Sequence, residues 1–105
     1  LKGLRCMVLY PSYRTQPHVK HFTIERYSGL YEYRERIRVL FRVIYMVDSK
    51  QNIILLAPFI KRRDKDTQYA LELAIQRAAI IRQYPECRVE LDLGGEMPVL
   101  IHRDI

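Results

Sequence analysis

Residues 37 to 47 constrain this chain more than any other stretch. Ile37, Val39, Phe41, Val43, Tyr45 and Val47 fall on one side of a two-residue period, and Arg38, Leu40, Arg42, Ile44 and Met46 fall on the other. The first set is wholly apolar, which predicts a long strand with that face in a core. Five turn-forming residues, Asp48 to Asn52, follow, and then comes a nearly continuous apolar run from Ile53 to Ile60, of the kind that is buried on both sides. Two such runs on either side of a hairpin-length turn pair antiparallel. Pro58 has no ladder hydrogen to donate, so the second strand is expected at a sheet edge or with a bulge near its end.

The rest of the chain arranges itself around that hairpin. Residues 1 to 10 carry Leu1, Leu4 and Val8, with Met7, at helical spacing and predict the end of a helix stopping before Pro11. Residues 11 to 20 read as a polar connection. From His21 the period turns to two, with Phe22 and Ile24, and past Gly29 with Tyr31 and Tyr33, predicting further strands. After the charged segment Lys61 to Lys65, Asp66 or Thr67 is expected to cap a helix over about residues 66–84. Leu71, Ala74, Ile75, Ala78 and Ile81 form its apolar face, Gln68, Glu72, Gln76 and Gln83 lie opposite, and Pro85 ends it. Alternation over Cys87 to Leu93 and Met97 to His102 predicts a terminal hairpin. The expected fold is α+β, with an antiparallel sheet of three to five strands, a helix on one face and an extra C-terminal hairpin.

With 105 residues the chain has room for one hydrophobic core, so residues 1–105 are read as a single domain. Lys and Arg number 18 against 12 acidic residues, a net charge of +6, and the resulting field favours polyanions such as nucleic acid or acidic protein tails. Cys6 and Cys87 stand far apart with no Cys-x-x-Cys pairing. That fits reduced thiols in the cytoplasm better than a disulfide framework, although a single bridge stays open. The longest apolar run has eight residues and contains Pro58, too short and too interrupted to span a membrane, and no leader pattern opens the chain. The first residue is Leu1 rather than an initiator methionine, as in a gene product trimmed or recorded without its first residues.

Four segments then occur in a telling order: Gly29-Leu30-Tyr31-Glu32-Tyr33-Arg34, Phe41-Arg42-Val43-Ile44-Tyr45, Pro58-Phe59-Ile60-Lys61-Arg62, and an alanine-rich helix. Together they resemble the phage-derived, HigB-like branch of the RelE/ParE toxin superfamily over about residues 17–85, with 86–105 as a tail. The resemblance implies a small RelE-like α+β fold with a basic concave surface. It also implies the function of a type II toxin–antitoxin toxin, a metal-independent endoribonuclease that enters the ribosome and cuts messenger RNA. A cognate antitoxin, the ribosome and messenger RNA would be its partners; no cofactor and no membrane is implied.

The residues themselves are compatible with that chemistry. Cleavage of RNA without a metal needs a group to deprotonate the ribose 2′-hydroxyl, cations to hold the phosphate as charge builds, and an acid for the leaving oxygen. Arginine suits the second role because its planar fork grips two phosphate oxygens and keeps its charge. The two-residue period places Arg34 with Arg36 on one face, and Arg38 with Arg42 on one face of the next strand. By family position Arg42 is the phosphate-stabilising arginine of the central strand, and Lys61 with Arg62 or Arg63 is the basic cluster after the last strand. Tyr69, six residues after Arg63, is similar in spacing to the arginine and tyrosine near the active site of RelE, where the tyrosine is proposed to take part in proton transfer, although a phenol with a pKa near 10 is a poor base unless cations lower it. Catalysis is thus assigned to Arg42, Lys61, Arg63 and Tyr69, and RNA binding to Arg34, Arg36, Arg38 and Arg62.

Blander explanations cover the same residues. Interleaving with Glu32 and Glu35 makes a solvated, salt-bridged sheet face; Lys61 to Lys65 makes an ordinary capping segment; Tyr69 makes a core-edge aromatic. His18 and His21 lack a third metal ligand nearby, and Gly94-Gly95 lacks the spacing and lysine of a phosphate loop. The tyrosines fit either base stacking or strand propensity. Family members usually carry a strand and a helical hairpin ahead of the glycine-leucine-tyrosine motif, so at least one element is expected to be missing here, its place taken by a strand of the terminal hairpin. Two other functions remain open: a ParE-like inhibitor of DNA gyrase, and a non-catalytic remnant that binds only antitoxin or RNA.

Overall fold

The computed structural model describes residues 2–93. Helix α1 (Lys2–Leu9) leads into a four-stranded sheet of β1 (Val19–His21), β2 (Tyr31–Arg36), β3 (Leu40–Val47) and β4 (Ile53–Lys61), and helix α2 (Asp64–Gln83) follows. The strands run in sequence order across the sheet and every neighbouring pair is antiparallel, a meander that needs only short connections. The α+β class, the central hairpin, α1 ending before Pro11 and the long second helix agree with the sequence pattern.

The pattern was less accurate about faces. Strand β3 is covered on both sides, not on one. Its odd-numbered residues Val43 and Tyr45 pack with Val19, Tyr33 and the α1 residues Leu4 and Met7. Its even-numbered residues Ile44 and Met46 pack with Ile54, Leu56 and Ala57 of β4 and with Ala70, Leu71, Ala74 and Ala78 of α2. Alternation alone marked the odd set as core because two arginines interrupt the even set. Ile37 and Val39, expected inside, are exposed, for the strand starts only at Leu40. Residues 37–39 instead form the β2–β3 turn, in which Ile37 and Val39 exchange backbone hydrogen bonds of 3.0 Å and Arg38 takes φ +85°. Arg38 therefore stands at a turn apex and does not share a strand face with Arg42.

Strand β4 is an edge strand and also carries a bulge, so both settings expected for Pro58 occur. Ile44 pairs with Ala57 and Tyr45 with Leu55, leaving Leu56 as the extra residue. Arg77 of α2 donates to the Leu56 carbonyl at 2.7 Å. The bulge turns both Leu56 and Ala57 toward α2 and shifts the parity of everything after it. Phe59 and Lys61, which pair with Arg42 and Leu40, consequently share the α2 face with them. In the preceding turn, the Asp48 carboxylate accepts backbone hydrogens from Lys50 and Asn52, both at 2.8 Å, and the Asn52 amide and Arg88 donate to its other oxygen.

Three other expectations need correction. Phe22 and Ile24 lie outside any strand, because the chain after β1 makes a short 3₁₀ turn over Glu25–Tyr27, and Gly29 at φ +85° then redirects it into β2. Helix α2 is capped from Arg63, not from Asp66 or Thr67: Asp66 sits in the first turn and its carboxylate accepts the Arg62 and Arg63 backbone hydrogens, each at 2.9 Å, which holds it below the usual carboxylate range. The first arm of the expected terminal hairpin is absent, since after the 3₁₀ turn Pro85–Cys87 residues 88–93 form no strand, and the second arm lies outside the described residues. One helix and one strand precede the glycine-leucine-tyrosine motif, and β1 fills the position beside β2.

Two contacts fasten the helices to this frame. Glu72 of α2 accepts hydrogen bonds from Arg26 Nε and from the Tyr27 hydroxyl, each at 2.8 Å, and a second from Arg26 Nη2. Its hydrogen bonds to Arg26 and Tyr27 pull the Glu72 carboxyl down to about 2, and the bond to Glu72 raises the Tyr27 phenol. On the opposite face, Gly3 lets α1 approach the Tyr33 hydroxyl so closely that an added Cβ would lie 2.2 Å from it.

Each contact has a measurable consequence. Because the folded Glu72 pKa lies below the unfolded value near 4.5, its stabilisation is complete above about pH 4.5 and disappears as pH falls toward 2. The gap between wild type and Glu72→Gln in urea midpoint is therefore expected to be wide at pH 6 and much narrower at pH 2.5; an equal gap at both pH values contradicts this. Gly3→Ala is expected to destabilise by about 1–3 kcal/mol through overpacking, outweighing the roughly 1 kcal/mol that alanine offers a helix interior. Urea denaturation of the variant gives the sign.

Candidate nucleic-acid interface

The β2–β3 turn and the β4–α2 junction lie at the same end of the sheet, where Arg36, Leu40 and Lys61 form one row across three strands and Arg34, Arg42 and Phe59 form the next. That end gathers Arg34, Arg36, Arg38, Arg42, Lys61, Arg62, Arg63 and Lys65, and Lys2 of α1 joins Arg36 around a pocket there. The acids among them are Glu32, Glu35, Asp64 and Asp66. The net positive charge of the chain is thus concentrated at one end, where it produces a directional field.

Arg34 and Arg42 are directly opposed on neighbouring strands, an arrangement that would repel if left alone. Glu32 resolves it. Two residues before Arg34, on the same face of β2, its carboxylate is 1 % exposed and its Oε1 accepts from Arg34 Nε at 2.9 Å and from Arg42 Nη1 at 3.2 Å. Its Oε2 is buried without a hydrogen-bond partner, as is Thr67 Oγ1 in the first turns of α2. Burial of a carboxylate is tolerable only with such cationic partners. In return the carboxylate fixes two guanidinium groups, each of which makes no other hydrogen bond among the described residues although an arginine carries five N–H donors.

The assigned residues thus divide into groups. Arg34 and Arg42 are brought together, with side chains 30 % and 12 % exposed. Lys61 is aligned with Arg36 and lies 3.9 Å from Asp64. Arg62 and Arg63 are exposed at the start of α2, and Arg63 also pairs with Asp66 at 3.2 Å. Tyr69 is 60 % exposed, on the side of α2 turned away from Ala70, Leu71, Ala74 and Ala78, so it points away from Arg34 and Arg42 on the sheet. Leu73, Ile80 and Tyr84 are exposed on that side too, so the outer face of α2 is less polar than its glutamines suggested. A solvated sheet face does not describe Arg42, whose side chain is only 12 % exposed. Glu32 was passed over as one of several interleaved surface acids; the signal that identifies it is the Glu-x-Arg spacing, which on a strand puts both side chains on one face.

On the other face, the Tyr33 hydroxyl donates to Glu35 Oε1, and His18 stacks on Tyr13 with ring centroids 3.8 Å apart. Burial and the Glu35 contact raise the Tyr33 phenol well above its usual range, so it stays a hydrogen-bond donor. Cys6 and Cys87 are free. Among the described residues no helix is long and apolar enough to cross a membrane.

The profile of the family described as Phage derived protein Gp49-like matches residues 5–79, which takes in both helices and all four strands apart from the ends of α1 and α2. The chain belongs to the phage-derived Gp49-like family. This is a RelE-related, toxin-like family, so membership implies a cognate antitoxin. No curated protein and no solved structure matches the chain significantly. The match to the Gp49-like family begins inside α1 and ends before Pro85, which makes α1 and β1 part of the family's frame and leaves residues 80–105 outside it.

Burial of the Glu32–Arg42 pair sets a further expectation for the Gp49-like fold. Arg42→Ala removes one of two cations from a buried carboxylate, a change that costs about 3 kcal/mol when a buried pair is broken outright and less where Arg34 persists. Adding Glu32→Gln to that variant is expected to recover part of the loss, because the unpaired charge goes with it. Additive losses in this double-mutant cycle would show that the pair is uncoupled.

Proposed function

We propose that this Gp49-like protein is the toxin of a type II toxin–antitoxin pair, a HigB-like, metal-independent endoribonuclease that cuts messenger RNA on the ribosome in the cytoplasm. The single observation behind the reading is the pair of arginines held side by side by a buried carboxylate at the cationic end of the sheet. As the 2′-oxygen attacks, negative charge builds on the phosphate, and donors already fixed in place stabilise it without reorganising. Arg34 uses its Nε on Glu32 and keeps its terminal nitrogens for a phosphate; Arg42 behind it adds charge and orientation. Lys61 and Arg36 extend the row, while Arg62, Arg63 and Arg38 offer exposed contacts to neighbouring phosphates. Proton transfer is not assigned to Tyr69 in this reading, because it stands on the outer side of α2.

Purified protein added to a translation reaction is expected to shorten messenger RNA. Arg42→Lys keeps the charge beside Glu32 but loses the guanidinium fork. Cleavage is expected to fall by about a hundredfold, the scale of losing one fixed donor, with stability changed by less than about 1.5 kcal/mol. Intact messenger RNA together with blocked DNA supercoiling would instead identify a ParE-like gyrase inhibitor. Antitoxin binding with neither effect would identify a non-catalytic binder.

A further inference from the structure

On the α1 face of the cationic end lies an open pocket of about 320 Å³ whose lining includes Arg34 and Arg36 but whose other residues the cleavage reading leaves unused. This is the small end of the range for ligand sites, roughly 300–1,000 Å³, and suits a single nucleoside better than a peptide or a lipid. Its lining combines two features. The stacked rings of Tyr13 and His18 supply aromatic surface. The carboxylate of Glu35 supplies hydrogen-bond acceptors, with Oε1 already taking the Tyr33 hydroxyl and Oε2 making no hydrogen bond among the described residues. Lys2 and Arg36 also line it, so a phosphate attached to a bound base would meet cations.

We propose that this pocket receives one guanine base, with Glu35 reading its Watson–Crick edge. Guanine alone among the four RNA bases presents two adjacent donors, N1–H and N2–H, which match the two oxygens of a carboxylate in parallel. Adenine and cytosine present one donor beside an acceptor that a carboxylate repels, and uracil presents one donor flanked by two acceptors. The Tyr33 hydroxyl holds Glu35 at its other lone pairs, and Gly3 permits this arrangement by keeping a Cβ out of the space that the Tyr33 hydroxyl occupies. Bases unstacked from single-stranded RNA are read in this way, by an aromatic surface and by hydrogen bonds to the exposed edge. The proposal rests on the RNA-binding reading above, and would make Glu35 a specificity-determining residue of the same interface.

Short single-stranded oligonucleotides of equal length and one GMP competitor test it by fluorescence anisotropy. An oligoadenylate carrying a single guanine is expected to bind about tenfold or more tighter than oligoadenylate alone, and GMP is expected to compete better than AMP, CMP or UMP. Glu35→Gln replaces one acceptor by a donor and so loses the match to guanine's two adjacent donors, while an amide pairs with a donor beside an acceptor on any of the four bases; the guanine preference is expected to disappear. A merely structural Glu35 would lower all affinities together. Equal affinity for guanine-containing and guanine-free oligonucleotides, or a guanine preference that survives Glu35→Gln, overturns the proposal while leaving the cleavage reading intact. Failure to bind any oligonucleotide strikes the RNA reading itself; GMP discrimination with its Glu35 dependence then decides the pocket, as a site for free guanine nucleotide.

Discussion

A single buried carboxylate makes the basic end of this molecule possible. Antiparallel pairing sets Arg34 directly against Arg42, and two guanidiniums at that separation, half-covered by a helix, would destabilise the sheet that carries them. Glu32, buried beneath both, converts the repulsion into a three-residue ion cluster through one oxygen. Further along the sheet the same face is a conventional core of Ile44, Met46, Leu56 and the alanines of α2. One helix therefore covers two chemically different floors, and the change between them falls at Arg42 and Ile44.

The bulge at Leu56 extends that logic to the edge strand. With unbroken alternation from Leu55, residues 59 and 61 would point to the α1 side, and Lys61 would be separated from Arg34 and Arg42 by the sheet itself. The extra residue reverses their side, puts Phe59 and Lys61 under α2, and lets Leu56 and Ala57 both enter its core. Arg77, reaching back from α2 to the Leu56 carbonyl, ties the irregularity to the helix that benefits from it. Pro58, without a hydrogen to donate, sits next to the bulge on the outermost strand, where the missing bond costs least.

Much of this fold could be read from residues whose local preference and tertiary fate agree. Val43 and Tyr45 alternate because they face a core, Ile53 to Ala57 run apolar because both sides are covered, and the 3.6-residue spacing of Leu71, Ala74 and Ala78 is the buried stripe of α2. What could not be read depends on partners distant in sequence. The Glu-x-Arg spacing sets Glu32 apart from Glu35, but not its burial or its second arginine: Glu32 holds both Arg34 and Arg42 on the α2 face, whereas Glu35 faces α1 and holds a tyrosine hydroxyl. Arg38 looked like a strand residue because the alternation runs through it, whereas a three-residue turn consumes Ile37 to Val39. The expected terminal hairpin failed in its first arm for a related reason: β1, too short at three residues to register as a periodic run, already occupies the place beside β2. Of the candidate site, the cationic residues were legible by type and order, but their grouping, and the exclusion of Tyr69 from it, required the helix to be placed.

The cluster also determines how the two faces of the cationic end can be used together. On the α2 face the arginines already hold Glu32, so under the proposed function a phosphate would add to an existing network rather than replace it. On the α1 face Glu35 is held by a protonated phenol, a neutral donor, with its other oxygen making no hydrogen bond among the described residues. Alternation along one strand, β2, thus produces both settings within four residues: Glu32 buried against two arginines, Glu35 beside an open pocket. A strand that passes between two helices can present an anion-binding surface on one side and a donor-binding one on the other, with the sheet keeping the two carboxylates apart.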